Sequence, residues 1–450
     1  MSRTGRPEGE YRSAQHEGSK AVWFTGGWRW FFWPDATERA RRTHLVLVAS
    51  LAAYLALQPT TEMTLARSLF FATTVFCGLL LPALGSAARR YAAIPWPSPG
   101  LTVALAMFFL WATLSWVWSI EPAYTAGQLK REVLDNVVLI GCAYLAARDA
   151  PSLRVLCGGA LAGILTLAVA TFVLEALGIG WQMGRWQLGV GPWATVLVLT
   201  APLLLLLPAG PPLGFVRPRY GALVALVYLA LMLANAWMCQ SRMVWIALGV
   251  AGLVAGIAAA YRWPAAFARA RRGWLALAVL VMLALIVAFI ATARDRTVAQ
   301  YAPGTTVESA LLHDPRVALW DRTMESVRER PWIGFGFGRE VLGDRFAVEL
   351  RNPMLVHAHN LYLSLLLQVG TIGLAAYGLV LLTLIHTHLR FLRAPDDVLA
   401  RVGVVGLAIV AGWVTKNLTD DFFFRSNAKE FWLLQAMLVG YGMRRLAKPP

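Results

Sequence analysis

Apolar residues run along the chain in blocks of about 17–22, the length that crosses a hydrocarbon core of about 30 Å. The blocks fall at about 43–58, 64–84, 100–118, 134–147, 155–176, 193–213, 220–238, 243–261, 274–292, 360–388, 398–415 and 427–443. Each predicts a membrane-spanning helix, so the chain reads as an all-α polytopic membrane protein with about twelve transmembrane helices. The tenth block is long and carries Gly370 near its middle, which predicts a broken or re-entrant helix. The polar segments then divide the chain. Residues 1–42 form a tail that ends in an interfacial aromatic belt (Trp23, Trp28, Trp30, Phe31, Phe32, Trp33), and 43–292 hold helices one to nine. Residues 293–358 form one large loop, 359–443 hold the last three helices, and 444–450 are a second tail.

Composition agrees with this pattern. Apolar and aromatic residues make up 58% and charged residues 15%, with a mean hydropathy of +0.56, outside the range of an ordinary soluble enzyme. The net charge of +16 would suggest nucleic acid in a soluble chain. Here no soluble basic domain exists to bind it, and the charge follows from the bias of Arg and Lys toward cytoplasmic segments. Placing both termini in the cytoplasm gathers Arg39, Arg41, Arg42, Arg148, Arg154, Arg262, Arg393, Arg444 and Arg445 inside, and sends the 293–358 loop outward. The four cysteines show no CxxC or Cys/His spacing, so neither a disulfide framework nor a zinc site is indicated.

With that orientation the unusual polar residues share the outer face. The loop Gly184–Pro192 contains Arg185, and the turn Cys239-Gln240-Ser241-Arg242 is too short to carry Arg242 far into water. A guanidinium at membrane depth is costly, so it should face the bundle interior and a partner; snorkelling to headgroups is the plainer alternative for both arginines. In the large loop, Asp314-Pro315 opens a helix, Val317, Trp320, Met324 and Val327 repeat at helical spacing, and Pro331 ends it. The following Gly334, Gly336 and Gly338 come after a helix rather than a strand. They read as a tight backbone turn, not a dinucleotide fingerprint. His357 and His359 stand where the loop re-enters the membrane. They could bind metal, though zinc needs further ligands that the spacing does not supply. They could be interface histidines with only a structural role, or one could be a base beside the interior arginines.

These residues resemble the O-antigen ligase and O-antigen polymerase superfamily. The likeness rests on Asp314-Pro315-Arg316, Leu319-Trp320, the run Pro331–Gly338, His359-Asn360 with Tyr362-Leu363, and Gly370 with Gly373-Leu374. The 185–192 loop and Ser241-Arg242 resemble upstream elements of the same superfamily. Two positions depart from its pattern: Trp193 follows Pro192 where many members have Asn, and Gln368 stands where many have Glu.

The resemblance implies a GT-C-type glycosyltransferase of the bacterial inner membrane, acting at the periplasmic face in lipopolysaccharide biosynthesis. The donor would be O-antigen on undecaprenyl pyrophosphate and the acceptor lipid A–core oligosaccharide. The length and the lack of a C-terminal soluble domain are closest to the ligase pattern, with the polymerase as alternative. Such a reaction needs a base for the acceptor hydroxyl and cations for the leaving pyrophosphate. His359 fits the first need, and Arg185, Arg242 and Arg316 fit the second. His357, Asn360, Tyr362 and Trp320 are candidates for acceptor or loop contacts. No DxD motif appears in the outer loops, so neither a metal nor another cofactor is required. Asp420-Asp421 reads as a solvated or Lys416-paired loop end, or else as a metal or sugar contact. A transporter of a lipid-linked anion is the competing class; it should show inverted repeats and polar residues through the whole membrane.

Overall fold

The structure, a computed structural model, describes residues 36–84, 98–179, 189–209, 213, 217–269, 271–300, 315–352 and 355–447. Arg185 and Asp314 lie outside the described residues. Among those described there is no strand. The helices are α1 (Ala36–Leu57), α2 (Thr64–Ala83), α3 (Pro99–Leu114), α4 (Pro122–Gln128), α5 (Asp135–Ala146), α6 (Ala150–Ala176), α7 (Val190–Thr200) and α8 (Pro218–Met238). They continue with α9 (Arg242–Arg262), α10 (Pro264–Arg269), α11 (Arg271–Gln300), α12 (Pro315–Glu329), α13 (Gly343–Glu349), α14 (Leu361–Leu392), α15 (Asp397–Lys416) and α16 (Arg425–Leu446).

A helix occupies every apolar block, and the protein is a helical polytopic membrane protein. Among the described residues, eight helices are long and apolar enough to cross a membrane: α2, α3 with its 3-10 extension, α6, α7 with its 3-10 extension, α8, α9, α14 and α15. Within α11 the described stretch Val279–Arg294 is apolar but shorter, and α1, α5 and α16 do not meet that measure. The reason is clearest in α16, whose Asn427, Glu430, Gln435 and Arg444 are all buried against other helices. Hydropathy reports on lipid contact, and a helix enclosed by its neighbours can carry polar groups that the protein satisfies. Gln435, for instance, meets His388 of α14 at 2.7 Å.

Small residues allow the closest helix contact. On α6, Gly159 and Gly163 lie against the backbone of Ala52 and Ala56 of α1, where any Cβ would collide. This is the four-residue small-residue spacing that brings membrane helices together.

α14 is broken at Gly370, whose φ of +68° and ψ of −173° are not helical. The break interrupts backbone hydrogen bonding, and the Pro331–Gly338 segment supplies the missing partners. Phe335 and Gly336 donate to the carbonyls of Leu367 and Gln368, both at 2.9 Å, while Thr371 donates to Pro331 at 2.8 Å. The glycine run therefore serves the broken helix. Gly334, Gly336 and Gly338 all have positive φ, and a Cβ on Gly334 would strike the α14 backbone. Gln368 completes the joint: its Oε1 accepts from the Gly338 N–H at 2.9 Å and its Nε2 donates to Ser364 at 2.8 Å. An amide performs both tasks, whereas the carboxylate common in the resembling family could only accept.

The connections sort the two ends of the bundle. At one end, where α9 begins, α7, α14 and α16 also begin and α15 terminates: Leu361 donates to Asn417, and Asn427 donates to Pro192. At the other end, His44 meets Ala146, Arg444 donates to the end of α5, and Arg262 pairs with Asp397. The basic residues expected together thus do collect at one end.

Candidate functional site

Where α9 begins, a cavity of about 310 Å³ opens between α7, α9, α11 and α12. Its polar lining comes from Ser241, Arg242, Arg316, Trp320, Thr419 and Asp420, and its apolar side from Met243, Ile246, Phe289 and Val317. Arg242 is the first residue of α9, and Ser241 at the N-cap makes no capping hydrogen bond. The positive end of the α9 dipole and the Arg242 charge therefore reinforce each other at the cavity wall, an arrangement suited to an anion.

Arg316 reaches the same cavity from the first turn of α12. It donates to the Thr419 carbonyl at 3.1 Å and stands 4.0 Å from the Asp420 carboxylate. Asp420 is itself held at 2.5 Å by Lys416, a fully buried lysine at the end of α15. Two arginines, a lysine and one carboxylate thus meet at or beside the cavity wall. The helical spacing in α12 is present, but its buried face is Leu319, Thr323, Ser326 and Val327. Val317 and Trp320 instead face the cavity.

The histidine pair is attached to the cavity through Trp320. The indole lines the cavity, and its Nε1 donates at 2.7 Å to the carbonyl of Ala358, between the two histidines. His359 takes a φ of +47°, which an L-residue adopts only under constraint. In this conformation its ring lies against that of His357, centroids 4.0 Å apart and planes tilted by 39°. His357 is 9% exposed, and its Nδ1 has no hydrogen-bond partner among the described residues. Burial, with the charges of Arg339, His359 and Arg316, pushes the His357 pKa down to about 2. Neither histidine is among the cavity-lining residues.

Asn360 and Tyr362 make protein contacts. Asn360 Oδ1 caps α14 by accepting from Tyr362 and Leu363, and its Nδ2 donates to Leu418 at 2.8 Å. The Tyr362 hydroxyl donates to Val414 at 2.9 Å.

The connection 417–424 joins these parts, and its role is not visible in the sequence. It carries the carbonyls that receive Arg316, Asn360 and Leu361, and Asn417 Oδ1 braces it by accepting from Phe422 at 2.8 Å. Arg339, which follows the glycine run, donates to the Asp421 carbonyl at 3.1 Å and stacks on Phe424 at 4.2 Å. Asp421 is buried, and burial pushes its carboxyl pKa up against the pull of Arg339. Asp420 is thus Lys416-paired as expected and lines the cavity, while Asp421 is buried. Among the described residues, no three His, Cys, Asp or Glu side chains gather as metal ligands.

No curated protein matches the chain. Residues 227–378, from within α8 to within α14, match the sequence model of the O-antigen ligase family. That segment holds Arg242, Arg316, Trp320, His357, His359 and the Gly370 joint, and over it the chain is similar to the O-antigen ligase family, which supports the resemblance to the O-antigen ligase/polymerase superfamily.

Proposed function

We propose that the protein is an O-antigen ligase: a metal-independent glycosyltransferase that moves O-antigen from undecaprenyl pyrophosphate to lipid A–core oligosaccharide. It would cross the inner membrane twelve times in a GT-C-type fold, with both termini cytoplasmic and the cavity facing the periplasm. The observation that carries the reading is the cavity itself, where Arg242 and Arg316 converge beside Trp320 and the α9 N-terminus. Guanidinium groups bind phosphate oxygens bidentately and stay charged, which suits a pyrophosphate before and during its departure.

In the reaction an acceptor hydroxyl oxygen attacks the anomeric carbon of the donor. The carbon–oxygen bond to pyrophosphate breaks, and its electron pair leaves with the phosphate, whose charge Arg242 and Arg316 meet, with Arg185 as a third cation. His359 takes the hydroxyl proton as the new bond forms. The cavity arginines and the histidine pair stand at one end of the bundle, which favours transfer at a surface over passage across the membrane.

The lipopolysaccharide ladder of a deletion strain tests this. Loss of all O-antigen from core, with lipid-linked polymer accumulating, is the expected result. A single repeat unit on core would assign the protein to polymerisation instead, and an unchanged ladder would overturn both.

A further inference from the structure

The strained backbone of His359 has one evident result: it folds the His359 ring onto that of His357, with 4.0 Å between centroids. The contact is held from several sides. Trp320 fixes the carbonyl of Ala358, the residue between the two histidines in the chain, and Asn360 fixes the chain immediately after them. His357 is buried, and its Nδ1 meets no hydrogen-bonding group among the described residues. What His357 offers its neighbour is the face of an aromatic ring.

We propose that His357 is a positioning residue for the transfer reaction, holding the His359 ring in place and stabilising its protonated form by ring-to-ring contact. This rests on the reading of His359 as the base. When His359 takes the acceptor proton it becomes an imidazolium in a region already rich in cations. Arg316 from α12 and Arg339 from the glycine run face the pair, while in the 417–424 connection Asp420 is tied to Lys416 beside Arg316, and the buried Asp421 lies beside Arg339. An uncharged ring against the imidazolium offsets part of the repulsion, as any cation over an aromatic face is stabilised. His357 can do this because burial between two arginines keeps it neutral.

The test is the pH dependence of transfer by the purified full-length protein, with lipid-linked donor and core acceptor. His357→Leu keeps bulk but removes the aromatic face. It should lower the rate about three- to tenfold, in line with the strength of such contacts. It should also move the acid limb of the profile to lower pH, because His359 becomes the weaker base. His357→Phe keeps the face without a titrating group, and should retain the wild-type limb and most of the rate. His357→Gln, polar and not aromatic, should behave like the leucine variant and serves if leucine prevents folding.

A phenylalanine variant as impaired as leucine, with an unmoved limb, would overturn the proposal. So would a leucine or glutamine variant that matches wild type. His359→Ala is measured alongside. Normal transfer there would sink the reading of His359 as base. An inactive His359→Ala with an unmoved limb in His357→Leu would sink only the role of His357.

Discussion

Arginines sit at both ends of this bundle and do opposite work. At the end where α16 finishes, Arg444 is buried and donates to the carbonyls of Tyr144 at 2.8 Å, Ala147 at 3.0 Å and Leu145 at 3.4 Å. Nearby, Arg445 is bonded to Asp396, and Arg262 reaches Asp397 at 2.9 Å and Pro395 at 3.0 Å. These guanidinium groups meet helix C-termini and carboxylates, so their charge is spent inside the protein. At the α9 end, Arg242 stands on a helix N-terminus, where the dipole adds to its charge instead of opposing it. The same side chain thus locks helices together where it meets carbonyl groups, and at the α9 end it lines a cavity beside a helix N-terminus.

The contrast is sharpest in activity. Arg242→Ala should lower transfer by about 10²–10³ or more, the usual effect of removing one preorganised donor from a developing charge. Arg242→Lys should fall between alanine and wild type, since it keeps the charge but loses the planar fork. Both should fold normally; a variant with intact activity would place the anion site elsewhere.

Arg444→Ala should show the reverse pattern. It leaves the α5 carbonyls without their donor, at a cost of about 1–3 kcal/mol, visible as a lower melting temperature in detergent. Turnover per folded molecule should stay near wild type. A selective loss of turnover at full stability would break the division between the two ends.

The smallest effect belongs to the Gly370 joint. Gln368→Glu keeps the acceptor for Gly338 but loses the donor to Ser364, whose hydroxyl remains bonded to the Asp421 carboxyl. Stability should change by less than about 1 kcal/mol, the worth of one ordinary hydrogen bond. Gln368→Leu, which strands the Gly338 N–H, should cost clearly more. Equal melting temperatures for the two variants would show that the joint does not depend on this bond.

Much of the architecture was readable along the chain. Every apolar block is a helix, α12 begins at Pro315 and stops before Pro331, and α14 breaks at Gly370. The candidate site was readable in part. Arg242, Arg316 and Trp320 do share a cavity, while the histidines lie outside its lining and are joined to it through the Trp320–Ala358 bond. Arg339 gave no local signal, because an arginine after a glycine run is an ordinary feature and its partner Asp421 is 82 residues away. The Lys416–Asp420 pair was readable as one alternative for that loop end, but the burial of Lys416 was not.

The sequence by itself determined the elements, because the period and length of apolar runs, proline and glycine act on the chain within a few residues. It also determined which residue types were available for an anionic substrate. Only the tertiary structure decided what each of them does. The glycine run became the partner of a broken helix 30 residues later, and the 417–424 connection became the hub that receives Arg316, Arg339 and Asn360. His357 became the ring beneath His359 through one strained backbone angle. Those outcomes depend on which unpaired backbone and charged groups meet after packing, and buried polar groups must find partners wherever the fold places them.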